Sequence, residues 1–315
     1  QKSILTNLTT LINKHMFLGT FPDCLKLGIV TPIHKGGDKT STNNFRPITI
    51  NPILGKIFEY VILRRLEDHV ITNDIINPSQ FGYVKQSNTE IAISHILDPI
   101  YSHLDTRNAV SLTCIDLSKA YDCINHEILI MKFKKLKLSK FFLNLLISYL
   151  KNRKQATKVA NKLSIFMTII FGTPQGGVLS GLFFNIYVNS IFRIQLSGKI
   201  SLYCDDMSIV NFAPNSQILK EEIENDLKLI SNWLEIHILA PNISKTKYIL
   251  FHNKMRFETF TEQALNIKFK DITIERVEIV QILGIKIDET LSFKWHIQAI
   301  QSKIISFTYA LKRIS

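Results

Sequence analysis

The chain has 315 residues, of which 46% are hydrophobic and 20% charged. That length suits about two domains, and that balance belongs to globular chains and excludes disorder, collagen and coiled coil. Lys and Arg number 38 against 26 Asp and Glu, a net charge of +12, which favours a polyanionic partner, either nucleic acid or an anionic membrane surface.

Asn51-Pro52 offers an N-cap and a first-turn proline, and Ile53, Leu54, Ile57, Phe58, Val61, Ile62, Leu66 and Val70 then recur at helical spacing. Val110 to Asp116 is an apolar, β-branched run that ends on a carboxylate, the pattern of a strand. Residues 131–162 hold ten of the 38 basic residues and no acid, a concentration that reads as a footprint for a polyanion. Within that stretch Phe141, Phe142, Leu145, Leu146, Tyr149 and Leu150 form an apolar helical stripe. Lys199–Leu202 and Met207–Phe212 flank Tyr203-Cys204-Asp205-Asp206, which predicts a hairpin whose turn carries two acids.

Ile223, Leu227, Ile230 and Leu234 mark another core-facing helix, and Asp271–Glu275 with Glu278–Ile287 suggest a second hairpin. From Leu291 onward, Trp295, Ile300, Ile304, Ile305 and Leu311 outline a helix with no later chain to pack on, so the C-terminus reads as cut short. The start at Gln1 lacks a basic region followed by an apolar core and reads as no signal peptide, but as a piece of a longer chain. No repeat or linker divides the sequence, so one interlocked α+β unit is expected. No apolar run approaches the roughly 18 residues of a membrane span, and no membrane partner is expected.

Cys24, Cys114, Cys123 and Cys204 form no C-x-x-C pair, and the nine histidines show no ligand spacing. The cysteines read as reduced, largely buried thiols of an intracellular protein, and any metal as held by oxygen. Asp116, at a strand end, and Asp205 and Asp206, in a turn, are the oxygen donors in view. Asp-Asp in a turn is commonly turn chemistry alone. Carboxylates crowded at strand ends repel one another unless a divalent cation lies between them, and Mg²⁺ takes such ligands together with substrate phosphates. Two such ions can activate an attacking oxygen and stabilise a leaving one.

These strings resemble the reverse transcriptase domain of non-LTR (LINE-type) retrotransposons, from about Phe21 to Ile297. YCDD at 203–206 is similar to the family's Y-A-D-D box, and DLSKAYDCINH at 116–126 to its first carboxylate motif. GTPQGGVLSGLFFNIY at 172–187 resembles its G-x-P-Q-G stretch, and NFRPI at 44–48 and QFGY at 80–83 its fingers motifs. NISKTKYILF at 242–251, Leu283-Gly284 and Asp288 resemble two late palm motifs.

The resemblance implies a right-hand polymerase. Fingers would occupy 1–108, palm 109–125 and 166–288, a basic helical insertion 126–165, and the start of a thumb 289–315. It implies RNA-directed DNA synthesis with an RNA template, a DNA primer, dNTPs and two Mg²⁺, with Mn²⁺ as a substitute ion. It also implies action in cytoplasm and nucleus, and endonuclease and thumb regions of a longer polyprotein outside this chain. Asp116 and Asp205 would be metal ligands with the Leu117 carbonyl, and Asp206 the third catalytic acid. Lys35 and Arg46 would hold the triphosphate, and Gln175 and Gly176 would meet nucleotide and template.

Tyr121 would lie under the incoming sugar, its alternative being a core aromatic. Lys245 would protonate departing pyrophosphate, its alternative being a solvated loop lysine. Lys151, Arg153, Lys154 and Lys158 are expected to bind template backbone, their alternative being a solvated helix end. Gly181, Ser190, Cys204 and Val84 depart from the family's usual Pro, Asp, Ala and basic residue, and none of these is a metal ligand. Two rival readings share the fold: a catalytically degenerate nucleic-acid-binding remnant, and an intron-maturase-type enzyme. Intact Asp116, Asp205 and Asp206 favour activity over the first, and SYLKNRKQATKV at 148–159 favours the LINE lineage over the second.

Overall fold

The apolar spacings become helices where flanking residues can end them, and the β-branched runs become strands where a partner strand is at hand. The computed structural model describes residues 2–174, 176–251 and 265–312. In chain order come α1 (Lys2–Leu18), β1 (Leu27–His34), β2 (Phe45–Ile50), α2 (Ile53–Thr72), α3 (Thr89–Asp105) and β3 (Ala109–Ile115). Next are α4 (His126–Lys135), α5 (Lys140–Leu150), β4 (Lys154–Val159), β5 (Lys162–Leu163), β6 (Met167–Thr168) and α6 (Ser180–Val188). Then follow β7 (Lys199–Tyr203), β8 (Asp206–Ala213), α7 (Ser216–Ile236) and β9 (Lys247–Phe251). Five short strands, β10 (Lys268–Phe269), β11 (Ile272–Thr273), β12 (Glu275–Arg276), β13 (Ile279–Ile282) and β14 (Ile285–Asp288), lead to α8 (Lys294–Lys312).

Contacts divide the chain into two interleaved units instead of the single one expected. The first contains the chain up to Asn77 together with 119–190 and 237–239. Its sheet places β1 between β2, antiparallel, and β4, parallel, with β5 and β6 antiparallel to β4. Every residue of α6 is buried, as a nearly all-apolar helix must be. Phe183 meets Phe133 and Tyr149 edge-on at centroid distances of 5.0 and 5.7 Å. Asn125 caps α4 by accepting from the amides of Glu127 and Ile128, and Ser139 caps α5 by accepting from Phe142.

Two expectations change in this unit. Pro52, not Asn51, is the N-cap of α2 and makes no side-chain cap; Asn51 is 3% exposed and accepts from Arg153. The basic stretch is helical only to Leu150, and β4, β5 and β6 follow, because β1 offers β4 an open edge.

The second unit holds 78–118, 191–236 and the described residues from Ala240 on. Its sheet runs β12-β9-β3-β8-β7, with β3 antiparallel to both neighbours. Ile93, Ile96 and Ile100 of α3 share one core with Leu112, Val210, Ile249 and Ile287. Thus α3 packs on this sheet, within the second unit. Helix α7 buries Ile223, Leu227, Ile230 and Leu234, along with Asp226, which accepts from the amides of Ser197 and Gly198 and from Asn211 Nδ2.

The second expected hairpin is also revised. Ile272–Thr273 pairs with β10, Glu275–Arg276 joins β9 in parallel, and β13 pairs with β14 inside 278–288. Asp288 ends β14 by accepting from Thr290, Ser292 and Phe293. Burial alone would raise its pKa, but those hydrogen bonds outweigh it and hold it below the usual carboxylate value. Among the described residues no helix is long and apolar enough to cross a membrane, and the four cysteines form no disulfide. Cys24 is exposed and the other three half-buried, so the expected burial is partial.

Candidate active site

In the second unit, Ile115 of β3 faces Met207 of β8, so Asp116 and Asp206 occupy the next positions outward along the two strands. The strands are apolar and buried, and they stop where the chain meets acids that burial would penalise. The β7–β8 hairpin closes on the pair Tyr203↔Asp206, leaving Cys204 and Asp205 as its turn. So tight a turn needs a left-handed residue, and Cys204 supplies it with φ 58°. Asp206 is exposed at the rim, yet burial of its carboxyl, then the charges of Asp205 and Asp116, push its pKa up.

The three acids are therefore mutually repelling oxygen donors. Among the described residues no three His, Cys, Asp or Glu side chains close a metal cage by themselves. An ion that keeps water and phosphate ligands needs only one or two carboxylates, so this donor set fits Mg²⁺. The loop after α7 is stitched to the same strand end: Asn242 donates to the Asp116 carbonyl at 2.7 Å, and Ser118 to Ala240 at 2.8 Å. The resulting bridge, Leu117↔Pro241, uses neither the amide nor the carbonyl of Leu117. It brings Lys245 Nζ to 3.7 Å from Asp116 Oδ2. The side chains are 69% and 37% exposed, so their attraction is weak and solvent-screened.

The QFGY string belongs to this same unit, although the resemblance assigned it to fingers. Phe81 donates to the Leu202 carbonyl and Leu202 to Ser79, which lays the segment along β7. Gly82 then abuts Cys204 so closely that a Cβ would overlap it. Gly82 is a functional candidate that motif matching alone had left without a role; its signal was a glycine immediately after a strand-like Gln80-Phe81.

The first unit holds the remaining candidates. Lys35 follows β1, is exposed, and donates its amide to Asn44 at 2.8 Å. Arg46 lies on β2 opposite Ile33 and is also exposed. Gly172 (φ 79°) donates to Ile124, and Thr173 to the Tyr121 carbonyl. Gly176 has φ 101°, and a Cβ there would stand 3.2 Å from the Thr49 carbonyl oxygen, so glycine answers both conformation and approach. Tyr121 is half-buried, its ring 4.6 Å from that of Phe184. Gln175 lies outside the described residues.

His126 Nε2 donates to the Gly172 carbonyl at 2.7 Å. Burial pushes its pKa down, the Gly172 bond opposes that, and Arg153 adds to the depression. Lys151, Lys154 and Lys158 are exposed. Arg153 is not: at 2% exposure its guanidinium packs over the Tyr149 ring. It is therefore removed from the expected backbone-binding set, because a buried guanidinium cannot reach a phosphate.

Residues 33–287 match the sequence profile of the family described as reverse transcriptase (RNA-dependent DNA polymerase). The chain is 25% identical over 300 residues to a probable RNA-directed DNA polymerase from transposon BS of Drosophila melanogaster, covering 93% of this chain and 33% of that protein. It is 24% identical over 302 residues to the RNA-directed DNA polymerase from mobile element jockey of the same organism, covering 93% and 32%. The chain thus spans about a third of the length of these relatives. Among solved structures, apo telomerase from Candida tropicalis superposes with a TM-score of 0.58 at 14% identity, covering 92% of this chain and 53% of that one. Telomerase from Candida albicans, solved with a fragment of telomeric RNA, gives 0.57 at 14% identity, covering 87% and 48%. Those two likenesses concern the fold alone.

Proposed function

The chain belongs to the reverse transcriptase (RNA-dependent DNA polymerase) family, and from that premise we propose that it copies RNA by adding dNTPs to a primer 3′-hydroxyl, as the polymerase of a non-LTR retrotransposon. The observation that carries this reading is geometric: Asp116 and Asp206 stand at the same end of two paired strands, with Asp205 in the turn beside them. Burial first, then the charges of Asp205 and Asp116, push the pKa of Asp206 up. The second unit's sheet is then the palm, the first unit supplies fingers, and α8 begins a thumb. The greater length of the relatives supports a polyprotein in which other regions carry further steps.

Asp116, Asp205 and the Leu117 carbonyl would hold the metal, with Asp206 beside them. Bound Mg²⁺ would favour loss of the primer hydroxyl proton and stabilise charge on the leaving pyrophosphate. The chain's own part is electrostatic and steric. Lys35 and Arg46 would bind the triphosphate, fixed positive donors matching charge on phosphoryl oxygens. Lys245, beside Asp116, would give its proton to pyrophosphate. The Tyr121 ring would exclude a 2′-hydroxyl, and the backbone around Gly176 would let nucleotide and template approach.

The test is primer extension on a homopolymer RNA template with Mg²⁺, comparing the parent with Asp205→Asn. The variant should lose incorporation while keeping fold and RNA binding, and relief of like-charge repulsion should leave it no less stable. Incorporation at roughly a tenth of the parent rate or better, too small a loss for a ligand of the catalytic ion, would refute the metal assignment.

A further inference from the structure

Glu59 is a carboxylate that the reaction above does not use, and it is 1% exposed. A polar group so deep must be hydrogen-bonded, and both of its oxygens are. Oε1 accepts from the Tyr149 hydroxyl at 3.0 Å and Oε2 from the Val178 amide at 2.8 Å. On the Tyr149 ring lies the Arg153 guanidinium, 4.5 Å from the centroid. Arg153 reaches Asn51 Oδ1 at 3.5 Å and leaves Nη1 without a hydrogen-bond partner. Acid and base therefore share one aromatic ring and form no direct ion pair.

Buried polar clusters of this kind are replaceable by packed apolar groups where stability is their only role. The destination of the second oxygen sets Glu59 apart. Val178 closes the glycine turn, in which Gly177 donates to Pro174 at 2.7 Å and Ser180 Oγ donates to the same carbonyl at 2.7 Å. Those bonds act within the turn. The Glu59 contact ties the turn to α2, an element otherwise remote from it in sequence.

We propose that Glu59 is a positioning residue, whose buried carboxylate holds the Val178 amide and so fixes the glycine turn that the incoming nucleotide meets. This rests on the reading of that turn given under Proposed function.

The test measures steady-state dNTP incorporation by the full chain on a poly(rA)–oligo(dT) hybrid. Glu59→Gln keeps an oxygen for the Val178 amide and turns its NH₂ toward the Tyr149 oxygen. Its KM for dTTP should stay within about threefold of the parent, since the Val178 amide keeps its acceptor and only the Tyr149 hydroxyl proton, away from the turn, loses one. Glu59→Met orphans the amide and should raise KM about tenfold or more, with a smaller change in kcat. Tyr149→Phe also deletes a Glu59 hydrogen bond, but a different one; its melting temperature should fall while KM stays at the parent value.

Should Glu59→Met fail to fold, Glu59→Asp, whose carboxylate is withdrawn by about 1.5 Å, reads the same contact. Gly176→Ala serves as the reference for the turn itself. If it raises KM while the Met or Asp variant keeps the parent value, the positioning role is overturned and the reading of the turn stands. If Gly176→Ala leaves KM unchanged too, both fall.

Discussion

Gly82 and Cys204 stand so close that a Cβ on the first would overlap the amide nitrogen and Sγ of the second. Cys204 is the left-handed residue of the turn that presents Asp205, so Gly82 acts as the wall against which that turn is pressed. Gly82→Ala must push the turn outward, at a cost of about 1–3 kcal/mol for overpacking. Incorporation should drop roughly a hundredfold, the scale of an ångström's misplacement at a reacting centre, while circular dichroism and RNA affinity hold. Extension at the parent rate would show that the turn yields harmlessly.

Tyr121→Val should raise ribonucleotide incorporation relative to deoxyribonucleotide, because the discrimination expected of the ring is steric. The ring also packs on Phe184, so the smaller side chain should cost up to about 3 kcal/mol of stability through the cavity it leaves. The two effects separate cleanly. A lowered melting temperature with an unchanged rNTP/dNTP ratio would assign the ring to packing alone.

Replacing Lys151, Lys154 and Lys158 with Gln should weaken hybrid binding for all sequences alike. If each contacts a phosphate, the log–log salt dependence becomes shallower by about two. Arg153→Met is the contrast: as a buried residue it should lower the melting temperature and leave the salt slope alone. Titration of one labelled hybrid at several KCl concentrations decides, and an unchanged slope for the triple variant would move the template path elsewhere.

His126 has a folded-state pKa below its ordinary 6.5. The unfolded chain therefore takes up its proton first as the pH falls. Its contribution to stability is present above about 6.5 and is lost as the pH drops through the folded value. His95 and His103 are also lowered, chiefly by burial, and act in the same direction. Urea unfolding at pH 7.5 and 5.5 should show lower stability at 5.5, and His126→Gln should lessen the difference. Superimposable pH profiles for parent and variant would refute the assignment.

What was legible in the sequence follows from which forces are local. The strand ending at Asp116 and the hairpin around Cys204 and Asp205 were readable because β-branched runs and charged ends mark them without help. Helix α2 was readable from its period, whereas its cap was not, because Arg153, distant in sequence, recruits Asn51. Strand β4 was hidden among lysines: Lys154 and Lys158 have no strand period of their own, and the pairing edge comes from β1. The burial of Arg153 was invisible to a charge count, which treats all cations alike. Nothing in the local pattern distinguishes Glu59 from Glu67 or Asp68 of the same helix, and only the hydrogen bonds of both its oxygens reveal what it touches.

The parallel pairing of Leu27–Val30 with Lys154–Thr157 also governs the order in which this chain can assemble. During synthesis β1 and β2 can zip early as a local hairpin, but the other edge of β1 must wait for β4. At typical elongation rates that interval is on the order of ten seconds, during which a strand with unpaired amides and carbonyls is open to any other extended segment. Non-local, parallel closure of this kind also slows folding, since loop entropy is spent before the contact is made. The nascent first unit is thus most prone to mispair between the emergence of Ile50 and that of Val159, and chaperone dependence of the yield should concentrate in that window.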